Sequence, residues 1–266
     1  MSDPGRTRPA PARSVGCSRP IQIPAAPSGH AVVKQGDQMV GLIPEVMNRI
    51  GAKIGCTFVW TPVARMRQES MFQSGTADIL IAAVRVERRD HDGIFVPLIE
   101  TRATLISLAS DRAPVHSIEE LLARRELRVA LVRGYDYGPA YQAMVARLTA
   151  QGRVSLQPQP GKVARMLAEG MADVTVMSGI SFVGGQLTDP HVAINPERIR
   201  SEPLADLPWQ RSGFYLSRKA LAEPDRHLLE QAIAASVKNG QWWQAFKRHY
   251  PAHILDISAR PLAAQR

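Results

Sequence analysis

The sequence contains little cysteine, no long apolar run and none of the common catalytic motifs. Its 266 residues include two Cys, and no stretch approaches the roughly 18 uninterrupted apolar residues that predict a membrane-spanning helix. Gly-x-Ser-x-Gly, P-loop and Gly-x-Gly-x-x-Gly patterns are missing, and the seven His show no metal-ligand spacing. These absences argue against a disulfide-rich mini-protein, a membrane-embedded protein and the common nucleotide-, metal- or serine-dependent enzymes. No cofactor and no metal site are expected.

The charge of the chain is unbalanced but shows no nucleic-acid signature. The net charge is +9 and the isoelectric point about 10.1, from 27 Arg and 6 Lys that are scattered without a basic run. Neither zinc-finger spacing nor an RNA-binding aromatic motif accompanies these residues. A solvated basic surface is therefore the main interpretation. Individual arginines remain available to bind carboxylates through two parallel N–H donors.

Strand-like and helix-like segments alternate along the chain. The composition, with 45% hydrophobic and 21% charged residues, is that of a globular protein of one large domain or two small ones. Predicted strands cover residues 21–26, 57–60, 79–84, 104–109, 128–132, 174–177 and 214–217. Predicted helices cover residues 41–50, 65–74, 117–122, 139–148, 162–169 and 224–239. This alternation predicts an α/β fold with largely parallel sheets.

A short pattern occurs twice, 95 residues apart. Met71-Phe-Gln-Ser-Gly75-Thr-Ala-Asp78-Ile-Leu-Ile matches Met166-Leu-Ala-Glu-Gly170-Met-Ala-Asp173-Val-Thr-Val. Each copy reads as the end of a helix, a glycine cap and a buried strand. Two such joints indicate two lobes of like design, with a chance likeness of two helix–strand joints as the alternative. The aspartates are interpreted as turn or cap residues rather than ligand-binding residues.

The two cysteines each precede a strand-like run. Cys17 stands before residues 20–24 and Cys56 before residues 57–60. If these runs are neighbouring parallel strands, both cysteines lie at the same end of the sheet and a disulfide between them is geometrically reasonable. It would place the protein outside the cytosol; the alternative is two free buried thiols. Residues 1–16 lack the apolar core of a signal peptide and are expected to be disordered, and Ser14-Val-Gly-Cys17 only faintly suggests a lipoprotein cleavage site.

Several segments, taken in order, resemble one family. They are Gly75-Thr-Ala-Asp78, Glu87-Arg88 followed by Phe95-Val-Pro97, Leu127-Arg-Val-Ala-Leu-Val-Arg-Gly134, Tyr135-Asp-Tyr-Gly138 and Gly240-Gln-Trp-Trp. Together they resemble the family 3 extracellular solute-binding proteins, which have the type II periplasmic binding fold. The resemblance runs from about residue 17 to residue 250.

The resemblance implies an α/β clamshell of two lobes, with mostly parallel sheets flanked by helices. Residues 17–108 would form the first part of lobe 1, 109–212 lobe 2, and 213–266 the hinge return and the second part of lobe 1. Hinge strands would lie near residues 107–110 and 214–217. A ligand bound between the lobes would close them.

The resemblance also implies which residues bind the ligand. Arg88 matches the family's carboxylate-binding arginine, with a surface ion pair as the alternative. Arg85 would add positive charge to the cleft unless it points away, and Arg65 matches an arginine of one subgroup unless it lies on the surface. Gly134 and Tyr135 match the loop of lobe 2 whose backbone N–H groups meet the ligand anion. Tyr135 and Tyr137 could equally serve packing.

One departure from the family concerns the ligand's amine. Where amino-acid-binding members place an acid, this chain has Ser178, and the loop at residues 24–28 has no acidic or aromatic residue. An ammonium group without an anionic partner is costly in a closed, dry cleft. The sequence therefore favours a ligand that carries a carboxylate or another small anion and has no ammonium group.

The function that these observations predict is periplasmic capture of a small carboxylate-bearing ligand, an amino acid or an organic acid. The ligand would pass to the permease of an ABC transporter, and the protein would be a monomer that binds no nucleic acid and is not an enzyme. A sensory binding protein that signals through a membrane partner is the first alternative. A cleft dehydratase of the same fold is the second, with Glu100 and Glu202 as the acids to watch.

Overall fold

The structure is a computed structural model that describes residues 16–186, 189, 191–192 and 194–263. Apart from Gly16, the segment 1–16 that was predicted to be disordered lies outside this range. Within the described residues, every helix is too short or too polar to cross a membrane.

Strands and helices alternate, as the sequence predicts. The first part comprises β1 (Ile21–Ala25), β2 (Val33–Gln35), β3 (Gln38–Val40), α1 (Leu42–Ile54), β4 (Phe58–Pro62), α2 (Arg65–Ser74), β5 (Ile79–Val84), α3 (Glu87–Asp90) and β6 (Gly93–Thr101). The middle part comprises β7 (Thr104–Leu108), α4 (Ile118–Ala123), β8 (Val129–Val132), α5 (Pro139–Ala150), β9 (Val154–Gln157), α6 (Pro160–Ala168), β10 (Val174–Met177), α7 (Gly179–Gln186), a 3-10 turn (Pro196–Arg198) and β11 (Ile199–Pro203). The last part comprises β12 (Gln210–Ser217), α8 (Glu223–Lys238), α9 (Gln241–His249), α10 (Ala252–Ser258) and β13 (Ala259–Arg260).

The pairing of the strands divides the chain into two lobes. In the first lobe, β1 pairs with β4, and a second sheet has the order β13-β6-β12-β5. The second lobe contains a five-stranded sheet of order β11-β7-β10-β8-β9. The predicted two-lobed α/β architecture is confirmed, but the sheets are mixed rather than mostly parallel. β1 pairs parallel with β4, and β8 pairs parallel with both β9 and β10. The strands at the crossings between lobes pair antiparallel, β6 with β12 and β7 with β11, because the chain leaves and re-enters each lobe in opposite directions.

The chain changes sheet slightly earlier than the predicted hinge positions. β7 pairs with β10 and β11 of the second lobe, so the first crossing lies at Arg102 and Ala103. β12 pairs with β6 and β5 of the first lobe from Gln210 onward, so the return crossing lies in residues 204–209. The physical reason is burial. Residues 104–107 are buried in the second lobe, where Leu105 and Ile106 belong to the apolar core, and they do not serve as a link.

Each lobe has its own apolar core. In the first lobe, the buried Trp242 ring meets Phe214 edge-on at a centroid distance of 5.3 Å, and its Nε1–H donates to Ser236 Oγ at 2.8 Å. In the second lobe, Tyr141 and Phe182 are the largest fully buried side chains. Separate cores allow the lobes to move as units about the two crossings.

The repeated sequence pattern corresponds to one structural joint in each lobe. α2 ends at Gly75, whose φ of 76° lies in the left-handed region that glycine adopts without steric cost. Three residues later, Asp78 accepts hydrogen bonds from Arg19 Nη1 and Nη2 and from the Gln22 N–H, all at 2.7 Å. In the second lobe, Asp173 accepts from the Arg128 N–H, Nε and Nη2 at 2.7–3.0 Å. Both aspartates therefore bind the segment that enters the neighbouring strand.

Cys17 and Cys56 form a disulfide, as predicted from their positions before two strands. Their Cα atoms lie 4.9 Å apart, and the bond closes a loop with a sequence separation of 39. The neighbouring strands β1 and β4 are parallel, with Ile21 opposite Phe58, so the cysteines meet at one end of the pair. The disulfide ties the beginning of the described chain to the core of the first lobe.

Candidate functional site

A cavity of about 400 Å³ lies between the two lobes. The first lobe contributes Arg65 from α2 and Phe214 from β12, and the second contributes Tyr135, Tyr137 and Ser178. The walls are mainly apolar and aromatic, with a small number of polar groups. This composition is typical of a site that binds a small molecule.

The lobes touch each other at two places beside the cavity. A Cβ on Gly29 of the first lobe would lie 1.9 Å from the carbonyl carbon of Gly184 in α7. A Cβ on Gly134 of the second lobe would lie 2.6 Å from Met66 Sδ in α2. The first approach is between backbone atoms and leaves no room for a side chain at Gly29, whereas the second is to a flexible and exposed methionine side chain. The two lobes are therefore in contact beside the cavity.

Arg65 is the cationic side chain of the cavity. It is 9% exposed, and its Nη1 donates to Gln68 Oε1 at 3.1 Å and to the Ile81 carbonyl at 3.2 Å. Its Nε has no hydrogen-bond partner among the described residues, and its Nη2 lies 3.8 Å from Glu69 Oε2, beyond hydrogen-bond distance. Burial, with the nearby Arg89 charge second, lowers the pKa of Arg65. An arginine stays charged even so, which leaves a buried cation with unused donors.

Glu69 holds three guanidinium groups together behind the cavity. Its Oε1 accepts from Arg88 Nη1 at 2.9 Å and Arg89 Nε at 2.8 Å, and its Oε2 accepts from Arg89 Nη2 at 3.0 Å. Burial alone would raise the pKa of Glu69, but Arg89, Arg65 and Arg88 outweigh it and hold that pKa below its usual range. Glu69 is therefore an anion whose oxygens are already occupied.

Hydroxyl groups of the second lobe line the opposite side of the cavity. The Ser178 N–H donates to Tyr137 Oη at 3.2 Å, and the Ser181 N–H donates to Ser178 Oγ at 3.3 Å, so that Ser178 caps α7. Burial raises the pKa values of Tyr135 and Tyr137, which keeps both phenols neutral. This side of the cavity offers polar but uncharged groups.

Arg88 and Gly134 lie outside the cavity, at a second hollow between the lobes. Arg88 is 47% exposed, and its Nε and Nη2 donate to Asp136 Oδ2 of the second lobe at 3.1 and 2.9 Å. The other oxygen of Asp136 accepts from the Gly138 N–H at 2.9 Å. Burial alone would raise the pKa of Asp136, but the Gly138 N–H and Arg88 hold it below its usual range. Arg88 thus joins the two lobes by an ion pair.

Arg85 lies on the surface of the first lobe. Its side chain is 56% exposed and pairs with Asp90 at 3.1 Å. The structure therefore brings together Arg65, Tyr135 and Ser178 among the predicted ligand residues, and places Gly134, Arg88 and Arg85 away from the cavity wall.

Several residues of the site were not singled out from the sequence. Gln68 and Glu69 follow Arg65 at helical spacing (i, i+3 and i+4), which is a signal that could have indicated a shared face. Asp136 lies within the Tyr-Asp-Tyr loop that carried the resemblance. Ala82 lines the cavity and has a φ of 51°, which is a strained conformation for a residue with a side chain. No sequence pattern predicts this conformation.

The ion pair between Arg88 and Asp136 yields a test of lobe closure. We expect Arg88→Gln to weaken closure by about 1 kcal/mol, because the Arg88 side chain is half-exposed and solvent replaces part of its interaction with Asp136. Small-angle scattering of the unliganded protein should show a larger radius of gyration, and ligand affinity should fall about five-fold. Arg85→Gln is the matched control and should change neither quantity. Complete loss of binding in Arg88→Gln would instead mean that Arg88 contacts the ligand itself.

Solved structures with the same architecture cover nearly the whole chain. A histidine kinase sensor domain with similarity to periplasmic binding proteins is 19% identical, with 89% of this chain and 97% of that chain covered and a TM-score of 0.65. An amino acid ABC transporter substrate-binding protein from Streptococcus pneumoniae, bound to L-arginine, is 17% identical over 86% and 94% at a TM-score of 0.66. An ancestral amino-acid-binding protein, a precursor of cyclohexadienyl dehydratase, is 13% identical over 87% and 95% at a TM-score of 0.67.

These comparisons show the fold. The chain has a two-lobed architecture like that of periplasmic binding proteins, as its sequence resemblance predicts. No protein-family model and no curated protein matches the sequence.

Proposed function

We propose that this chain is a periplasmic solute-binding protein that captures a small carboxylate-bearing ligand between its lobes. The ligand is an amino acid or an organic acid, and closure of the lobes presents it to the permease of an ABC transporter. The protein acts as a monomer, and it binds its ligand without converting it. The neighbours' fold and the disulfide, which forms in oxidising compartments, support a periplasmic location.

The observation that carries this proposal is the buried, partly unused guanidinium of Arg65. Its Nη1 is held by Gln68 and by the Ile81 carbonyl, so the group is fixed in place. Its Nε has no partner among the described residues, and an unsatisfied buried donor costs about 1–3 kcal/mol. A ligand carboxylate would satisfy such donors with charge-assisted hydrogen bonds. Arg65 is therefore the anchor for the ligand, and Tyr135 and Ser178 complete the site from the second lobe.

Replacing Arg65 tests this proposal. The ligand for this test is the small carboxylic acid that most raises the melting temperature. Calorimetric titration should show at least a ten-fold weaker affinity for Arg65→Met, since hydrogen bonds to a charged group contribute about 1.5–3 kcal/mol. Arg67→Met is the matched control, because Arg67 is exposed on the same helix and does not line the cavity. Equal affinity of the Arg65→Met variant and the wild type would contradict the proposal.

A sensory role is the second candidate, favoured by the C-terminal part of the described chain. α10 packs against α7 of the second lobe, where a Cβ on Gly179 would lie 2.9 Å from Ser258 Oγ. β13 pairs with β6 of the first lobe. This segment therefore contacts both lobes and would register their closure. A kinase or chemoreceptor gene beside this one would support sensing, and a permease gene would support transport.

A dehydratase role has less support in the cavity. Glu100 pairs with Arg260 at 2.6 Å, and Glu202 is bound by Arg112, Arg200 and the Val115 N–H. Neither glutamate lines the cavity. Asp136 does line it, but Arg88 and the Gly138 N–H occupy its oxygens. Turnover of a cyclic acid by the purified protein would favour catalysis over binding.

A further inference from the structure

The charges around the cavity do not balance. Three guanidinium groups (Arg65, Arg88 and Arg89) and two carboxylates (Glu69 and Asp136) form one group, here called the interlobe charge cluster. Every member except Arg88 is buried or half-buried. At neutral pH the cluster carries a net charge of +1. A single negative charge brought into the cavity would neutralise it.

The negative charges of the two acids of the cluster are already paired with arginines and are not free to balance a ligand's ammonium group. Glu69 accepts three hydrogen bonds from Arg88 and Arg89, and Asp136 accepts three from Arg88 and Gly138. Among the described residues that line the cavity, Arg65 and Asp136 are the charged ones. A ligand ammonium group would therefore meet a net positive environment without a free carboxylate, which is costly in a closed site.

The number of cationic side chains on the cavity wall also disfavours a second carboxylate on the ligand. Arg65 is the one cation on the cavity wall in the part of the chain that the structure describes, and Arg88 lies outside it. A dianion would leave one charge facing neutral groups, namely the hydroxyls of Ser178, Tyr135 and Tyr137 and the side chain of Gln68. Neutral hydroxyls bind an anion more weakly than a guanidinium does.

The remaining wall of the cavity suits an apolar body. Its larger side chains include Ile81, Leu98, Ile99, Ile180, Phe214 and Phe246. Burial of apolar ligand surface against such walls stabilises the bound state. A volume of about 400 Å³ accommodates a ligand with a phenyl ring or a branched aliphatic chain.

From these observations we propose that the ligand is a monocarboxylate with an apolar body and without an α-ammonium group. The proposal rests on the proposed function, since it specifies the ligand of the same cavity. The carboxylate binds the unused donors of Arg65 and neutralises the interlobe charge cluster, and the apolar body lies against the aliphatic and aromatic wall.

A panel of matched ligands tests the proposal on the full chain. 3-Phenylpropionate, L-phenylalanine and phenylsuccinate share a phenyl ring and differ in charge, as do 4-methylpentanoate, L-leucine and isobutylsuccinate in the aliphatic series. The monocarboxylate of at least one series should raise the melting temperature and bind at least 30-fold more tightly than its amino acid and its dicarboxylate. An amino acid or dicarboxylate that binds as well overturns the monocarboxylate proposal but leaves the proposed function intact. No response to any carboxylate, including all the common amino acids, overturns both.

A substitution in the cavity wall tests the charge count directly. Ser178→Asp adds one negative charge while keeping a side chain that caps helices well, so the protein should fold. Affinity for the best monocarboxylate should fall at least ten-fold, because the cavity no longer carries a net positive charge. Ser178→Asn is the matched variant, because its side chain has nearly the same shape as that of the Asp variant and no charge, and the Asp variant should bind at least ten-fold more weakly than the Asn variant. Equal affinities of the Asp and Asn variants would overturn the charge-neutralisation argument.

Discussion

Replacing both cysteines by serine (Cys17→Ser with Cys56→Ser) is expected to lower the free energy of unfolding by about 4 kcal/mol. The disulfide closes a loop with a sequence separation of 39, and in the chain-entropy account such a crosslink destabilises the unfolded state. The folded state retains its other contacts at this end. The N–H and Oγ of Ser18 donate to Asp225 at 2.9 and 2.6 Å. Urea denaturation, extrapolated to zero denaturant, measures the loss.

Reduction of the wild-type protein provides the control. With a strong reductant present, wild type should unfold at the same urea concentration as the double serine variant, and the variant should not respond to the reductant. A difference below about 1 kcal/mol between oxidised wild type and variant would contradict the prediction. It would show that the reduced segment before β1 is already restrained in the unfolded chain. A loss near the expected value would show that the protein is more stable in an oxidising compartment, which is where the proposed function places it.

Local sequence signals predicted little more than half of the helices and strands that the structure describes, and β9, α7 and β11 are among those that they missed. α2 has the predicted bounds because a glycine with a left-handed φ ends it, and the capping serine of α4 accepts from the Glu120 N–H at 3.2 Å as its sequence pattern indicates. β5 and β10 coincide with the predicted buried strands because each is nearly continuous in apolar residues. The internal repeat predicted two lobes because the same helix–glycine–strand joint needs the same residues in each.

The roles of the arginines could not be predicted in the same way. Arg85, Arg88 and Arg89 lie within five residues, and the sequence does not show which of them turns inward. In the structure Arg89 is buried at 1% exposure because Glu69, twenty residues earlier, receives it, whereas Arg88 reaches Asp136 in the other lobe. Such partners are set by tertiary packing. Arg65 lies in the cavity because α2 begins there, at the carboxyl end of β4.

The second large effect is expected at Asp78. We expect Asp78→Asn to lower the free energy of unfolding by about 3 kcal/mol, because the buried carboxylate loses several hydrogen bonds at once, although its partner Arg19 is itself 44% exposed. The Asp78 side chain is 2% exposed and accepts from both terminal nitrogens of Arg19 and from the Gln22 N–H. An asparagine would direct an NH₂ group at one of these donors. Chemical denaturation at neutral pH measures the change.

Asp173→Asn is the matched control that the internal repeat provides. Asp173 occupies the same position of the pattern and accepts a similar set of bonds from Arg128, but its side chain is 33% exposed and that of Arg128 is 56% exposed. Solvent replaces lost bonds at such a site, so the loss should be much smaller. Equal losses at the two positions would mean that burial does not set the strength of this joint. A large loss at Asp78 alone would show that the stability contributed by the aspartate depends on its burial. The same helix–glycine–strand pattern would then serve both lobes but stabilise them to different extents.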